Sequence, residues 1–125
     1  MTRIIVSDMS MTPEPWQVVG TAAGSAYQGS WAPLSYPTYP RAEFYRDPFG
    51  LVRMKGLISG GGANQNMIKL PDAYGHTVDN YHYHVFASTG GALTTITISQ
   101  TGMIGLGATY SGWVDLASIP AWRCT

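Results

Sequence analysis

The sequence predicts an all-β protein, an antiparallel β-sandwich of the jelly-roll kind built from about seven short strands. Three observations lead there. Short runs alternate apolar with polar residues between turn signals. No window of about 12 residues repeats its apolar positions at helical spacing. The composition is rich in Gly, Thr, Ser and Tyr and poor in charge, with 15 glycines, 8 tyrosines and only 11% charged residues in a chain of 125.

Residues 1–41 show no sustained periodicity. Ile4-Ile5-Val6 suggests a short strand. MTPEPW and GTAAGSAYQGSWAPLSYPTYP follow, and prolines 13, 15, 33, 37 and 40 exclude a helix and interrupt any central strand. The expectation is an extended arm with loops, lying on a partner or opening the first strand of the domain. Residues 42–125 then form the sandwich. Asp47-Pro48-Phe49-Gly50 places Pro second and Gly fourth in a turn, which joins AEFYR to LVRMKGLIS as a hairpin. In the second strand Val52, Met54 and Ile58 share one face, with Gly56 between them, and Arg53 and Lys55 occupy the other.

GGGANQN reads as a flexible loop, and MIKLPDAYGHTVD as an irregular crossover fixed by Leu70-Pro71. NYHYHVFAS is the next strand. LTTITISQ follows, with Ile96 and Ile98 on the face of Thr94. The turn QTG and the segment MIGLGATY complete a second hairpin, with Gly102 suited to positive φ. GWVDLASIP supplies a last strand before Ala121-Trp122.

Hydrophobic residues make up 45% of the chain and formal net charge is zero, which suits one globular domain. Seven scattered Lys and Arg offer no basic cluster, so neither nucleic-acid binding nor attraction to an anionic membrane is expected. Low charge and ample aromatics also suit a surface covered by partner subunits. The single cysteine, Cys124, excludes an intrachain disulfide and any CxxC metal motif. The N-terminus lacks the charged and apolar regions of a signal peptide, and no apolar run is long enough for a membrane span. The expectation is synthesis in a cytoplasm, without a secretion signal.

The order of FYRDPFGLVRMKGLISGG, MIKLPDAYGH, YHYHVFAS, TTITISQTGMIGL and GWVDLASI resembles a module of phage virion proteins. It occurs at the ends of tail fibres and minor tail proteins, and in head fibres or decoration proteins. The likeness covers residues 42–119. It implies a homotrimeric β-sandwich on the virion exterior, without enzymatic activity, that contacts host surface glycans. The arm lies outside the likeness, and the expectation is that it docks the protein on other virion proteins. No catalytic residue carries over from the likeness. The alternatives are a free-standing carbohydrate-binding module or lectin, and a glycan-degrading enzyme.

Three groups of residues are candidate sites. His82 and His84 lie on one face of a strand, with Cα atoms roughly 6.6 Å apart. Two imidazoles are too few for a metal site alone, though three chains on one axis would supply six. The plainer expectation is a strand covered on both faces, with Tyr81, Tyr83 and Val85 on one side. His82, His84 and Phe86 then face a neighbouring subunit, with no metal or other cofactor.

Asn64, Gln65 and Asn66 offer hydrogen bonds to a sugar from the glycine loop, which lacks the ending of a phosphate loop. Tyr74 and His76, in the segment after Leu70-Pro71, are further ligand candidates. Tyr36, Tyr39, Tyr110 and Trp113 join Tyr74 as rings able to stack on saccharide faces. A triad of His76, Asp79 and Ser88 lacks a nucleophile-elbow motif, and the carboxylates Asp72 and Asp79 lie in an irregular segment. No catalytic residue is therefore assigned.

Overall fold

A computed structural model of the chain describes residues 14–62, 64–77, 81–87, 92–107 and 113–124; within 81–87 and 92–94 the description is of the backbone. It is all-β and antiparallel. Twelve strands are described, β1(Gln17–Val18), β2(Ala26–Tyr27), β3(Ala32–Pro33), β4(Glu43–Arg46), β5(Leu51–Lys55), β6(Leu57–Ser59), β7(Asn66–Lys69), β8(Tyr81–Ala87), β9(Ala92–Ile98), β10(Met103–Leu106), β11(Trp113–Asp115) and β12(Trp122–Arg123). Single 3-10 turns occupy Asp72–Tyr74 and Leu116–Ser118. No helix among the described residues is long and apolar enough to cross a membrane.

Two sheets result. One has four strands in the order β1-β4-β5-β12, and the other has eight in the order β2-β7-β10-β9-β8-β11-β6-β3. The expected hairpins form where the turn chemistry places them. Asp47 Oδ1 accepts from the Phe49 and Leu51 amides at 2.9 and 3.0 Å, Gly50 N donates to Asp47 O, and Gly50 has φ +83°. β4 and β5 then pair from Glu43↔Lys55 to Arg46↔Val52. Gly102, with φ +89°, closes the β9–β10 turn.

The run Leu51 to Ser59 is two strands rather than one. Gly56 adopts φ +117°, and a Cβ there would sit 2.3 Å from Arg41 O. The chain thereby leaves the four-stranded sheet after β5 and enters the eight-stranded sheet as β6. The alternation survives the break: Val52, Met54 and Ile58 are all buried. The chain makes the reverse crossing through the turn Leu116–Ser118, where Leu116 N donates to Gly56 O at 2.9 Å. Nearby, Leu57 N donates to Pro40 O at 3.0 Å. Three passages of chain are thus tied at one seam between the sheets.

From residue 14 onward the N-terminal segment is not the extended arm expected over 1–41. β1 pairs with β4, β2 with β7, and β3 with β6, and Val19 and Trp31 are buried. Pro33 is accommodated because β3 is an edge strand. Residues 1–13, including Ile4-Ile5-Val6, lie outside the described residues.

β2 and β3 stand at opposite edges of the eight-stranded sheet, yet only residues 28–31 connect them. Eight flat strands would span about 34 Å. The chain from Tyr27 to Ala32 reaches at most about 18 Å. The sheet therefore curls until its edges approach. Trp31 fills this connection and is 3% exposed.

The glycine loop crosses the same gap from β6 to β7. A Cβ on Gly60 would lie 2.5 Å from Ser30 O, and one on Gly61 would lie 2.0 Å from Trp31 Nε1. These glycines permit close packing of one connection on the other. One buried cluster draws Phe44, Val52, Met54 and Trp122 from the smaller sheet and Ile58, Met67, Ile68, Ile96, Ile98 and Ile104 from the larger.

Candidate functional site

The expected ligand residues do not share a surface. Asn64, Gln65 and Asn66 are exposed at the start of β7. Gln65 Oε1 accepts from Gly62 N at 3.0 Å, which fixes the loop. Tyr74 and His76 follow the other end of β7, about 10 Å or more away along the strand.

Both are buried, at 8% and 7% exposure, so neither offers a face to a ligand. The Tyr74 hydroxyl lies 2.9 and 3.0 Å from the two carboxylate oxygens of Glu14 and accepts from Gln17 Nε2 at 2.8 Å. Its ring meets Phe44 edge-on and carries the Arg46 guanidinium at 4.6 Å. Its carbonyl accepts from Trp122 Nε1 at 3.0 Å. Tyr74 is thus a structural node that binds the segment around Glu14 to the core. His76 donates its amide to Ser99 O at 2.9 Å and forms a bridge with Cys124, and burial holds its imidazole below the ordinary histidine pKa.

His82 and His84 stand opposite Thr97 and Thr95 in the β8–β9 register, and Phe86 opposite Leu93. Their side chains, with Asp79, Ser88 and Tyr110, lie outside the described residues. Among the described residues no three His, Cys, Asp or Glu side chains converge for a metal. Trp113, in β11, is half-buried opposite Ser59. Asp72 is exposed and pairs with Lys69 at 2.9 Å.

The arrangement that does converge lies on the outward face of the four-stranded sheet. The β4–β5 register puts Glu43 with Lys55 and Tyr45 with Arg53, on the face opposite buried Phe44, Val52 and Met54. Trp16, just before β1, stacks edge-on against Tyr45 with centroids 4.5 Å apart and remains 41% exposed. Lys55 Nζ lies 4.4 Å over the Trp16 ring and 3.7 Å from Glu43 Oε1. Arg41 Nε binds Glu43 Oε2 at 3.2 Å, and its guanidinium lies 4.9 Å over Tyr36, which is 51% exposed.

A continuous row results: Tyr36, Arg41, Glu43, Lys55, Trp16, Tyr45. Each exposed cation–ring contact contributes about 0.5–1 kcal/mol and holds its ring in place. Beside the row, Phe49 is 67% exposed at the tip of the β4–β5 turn. Asp47 binds Arg53 at 3.1 Å there; burial pushes its carboxyl up, but the Leu51 amide, Arg53 and the Phe49 amide together hold it below the usual carboxylate range.

Rings held in place on a sheet and edged by charged donors can stack on a sugar and hydrogen-bond its hydroxyls without large ordering cost. Of this row, only Tyr36 is a ring anticipated from sequence. Tyr45 was legible in the alternation of EFYR. Trp16 was not, because its place depends on β1 joining β4.

A scan against protein-family models and searches of curated proteins and of solved structures return no match.

Proposed function

We propose that the protein is a non-enzymatic component of a phage virion exterior that contacts host surface glycans through the ring-and-cation face of its four-stranded sheet. The observation that carries the recognition role is the row from Tyr36 to Tyr45, since exposed rings braced by cations form a ready stacking platform. The virion reading draws on the order of pieces over residues 42–119, which resembles that of the phage virion module. In this reading the two sheets pack as a sandwich. Three copies surround an axis, with His82, His84 and Phe86 at the subunit contacts. Other virion proteins hold the protein on the particle.

Two measurements test it. Light scattering should give a mass near three times the 13.5 kDa chain. Binding to a panel of surface oligosaccharides should fall at least about tenfold in Trp16→Ala, while its unfolding midpoint changes little. A stable monomer that still binds sugar makes the protein a free-standing lectin. Turnover of a glycan, abolished by one carboxylate substitution, makes it an enzyme. Either result overturns the proposal.

A further inference from the structure

We infer that the ring-and-cation face selects glycans bearing carboxylate groups over neutral ones. The inference rests on the glycan-binding reading and specifies its ligand. Its first support is charge. The outward face of the four-stranded sheet carries Arg41, Arg53, Lys55 and Arg123 against Glu43 and Asp47. Among the described residues four basic side chains thus gather there with two acidic ones, a local surplus of two positive charges in a chain of zero formal net charge. Among the described residues the Arg123 guanidinium donates to the Phe49 carbonyl at 3.4 Å.

The second support is hydrogen-bond chemistry. Arg and Lys donate and never accept. The row's only carboxylate, Glu43, already serves two cations, through Oε2 to Arg41 and Oε1 to Lys55. Sugar hydroxyls must find acceptors as well as donors, and beyond Glu43 the row's side chains offer only the Tyr36 and Tyr45 hydroxyls as acceptors. A carboxylated sugar suits it, because it brings acceptors and negative charge together. Glu43 itself shows that Arg41 and Lys55 can converge on a carboxylate at this place. The rings of Trp16 and Tyr36, beneath or beside those cations, supply the flat contact that a sugar ring needs and a small anion does not. A nucleic acid is less suited: its affinity comes from many phosphate contacts, and two surplus charges release few counterions.

The test compares matched probes on the intact chain by isothermal titration: galactotriose with trigalacturonate, and lactose with sialyllactose. The carboxylated member of a pair should bind about tenfold tighter at low salt, and the preference should shrink in 0.5 M salt, beyond the screening length of exposed charges. Lys55→Gln and Arg41→Gln should each move the ratio toward one, with circular dichroism showing the fold retained. Trp16→Ala should weaken the acidic probes and any neutral binding together. Equal affinity for both members of each pair overturns the inference and leaves the glycan reading standing. No binding of any of the four overturns both. Tighter binding of oligothymidine than of any sugar also overturns both.

Discussion

Three side chains show how far burial alters a residue's task. Tyr74 and His76 belong to residue types common in binding sites, yet both are enclosed. Tyr74 spends its hydroxyl on Glu14 and Gln17 and its carbonyl on Trp122, so it links the two ends of the described chain to the core. For His76, burial favours the neutral ring, so its folded pKa lies below the ordinary 6.5. The unfolded chain then takes up this proton first as pH falls. The stability contributed by a neutral His76 is therefore complete above pH 6.5 and declines as pH drops through 6.5 toward the folded value. Urea unfolding followed between pH 7.5 and 5 should show that decline, and His76→Gln should flatten it. An unchanged slope in the variant would place the acid sensitivity elsewhere. Asp47 shows the opposite balance, because two amides and Arg53 favour its charged form more than burial disfavours it.

Among the elements, the break at Gly56 has the largest consequence. Nine residues read as one strand from their alternation, and the alternation is real. What divides them is a positive φ and the close approach of Arg41 and Ala42, which only a residue without Cβ permits. Gly56→Ala should cost more than about 3 kcal/mol, since strain at positive φ adds to a collision with backbone. Gly29, with φ +58° and nothing within 4 Å of a Cβ, is the control. Gly29→Ala should cost about 1–2 kcal/mol. Equal losses in chemical denaturation would mean that the crossing tolerates a side chain. β7 is a strand that the pattern of residue types conceals. Met67 and Ile68 are consecutive and both fully buried, so the four residues lack the alternation that reveals a strand with one wet face.

The whole molecule depends on connections that join distant edges. The curled eight-stranded sheet is held by the short link from β2 to β3, and Trp31 packs within it against the glycine loop. Trp31→Ala should cost about 3–5 kcal/mol, and the loss should appear in the single global transition. A loss under about 1 kcal/mol would show that the link is peripheral. Trp16, at 41% exposure, has much less buried area to lose, which is why it is the better residue for testing binding.

The strand-forming character of the chain, its two hairpins and the inward faces of β5 and β9 were determined by the sequence alone. Those features rest on local causes: alternation at period two, an aspartate and glycine around a proline turn, and a glycine at positive φ. Tertiary structure decided which sheet each strand joins, that residues 14–41 enter both sheets, and that Tyr74 and His76 are enclosed. It also made the candidate site, because Trp16, Tyr36, Arg41, Glu43, Tyr45 and Lys55 come from separate stretches of chain and meet only when β1 pairs with β4 and β4 with β5. Such pairings depend on long-range closure and shared burial, and a local pattern of residue types carries no record of either.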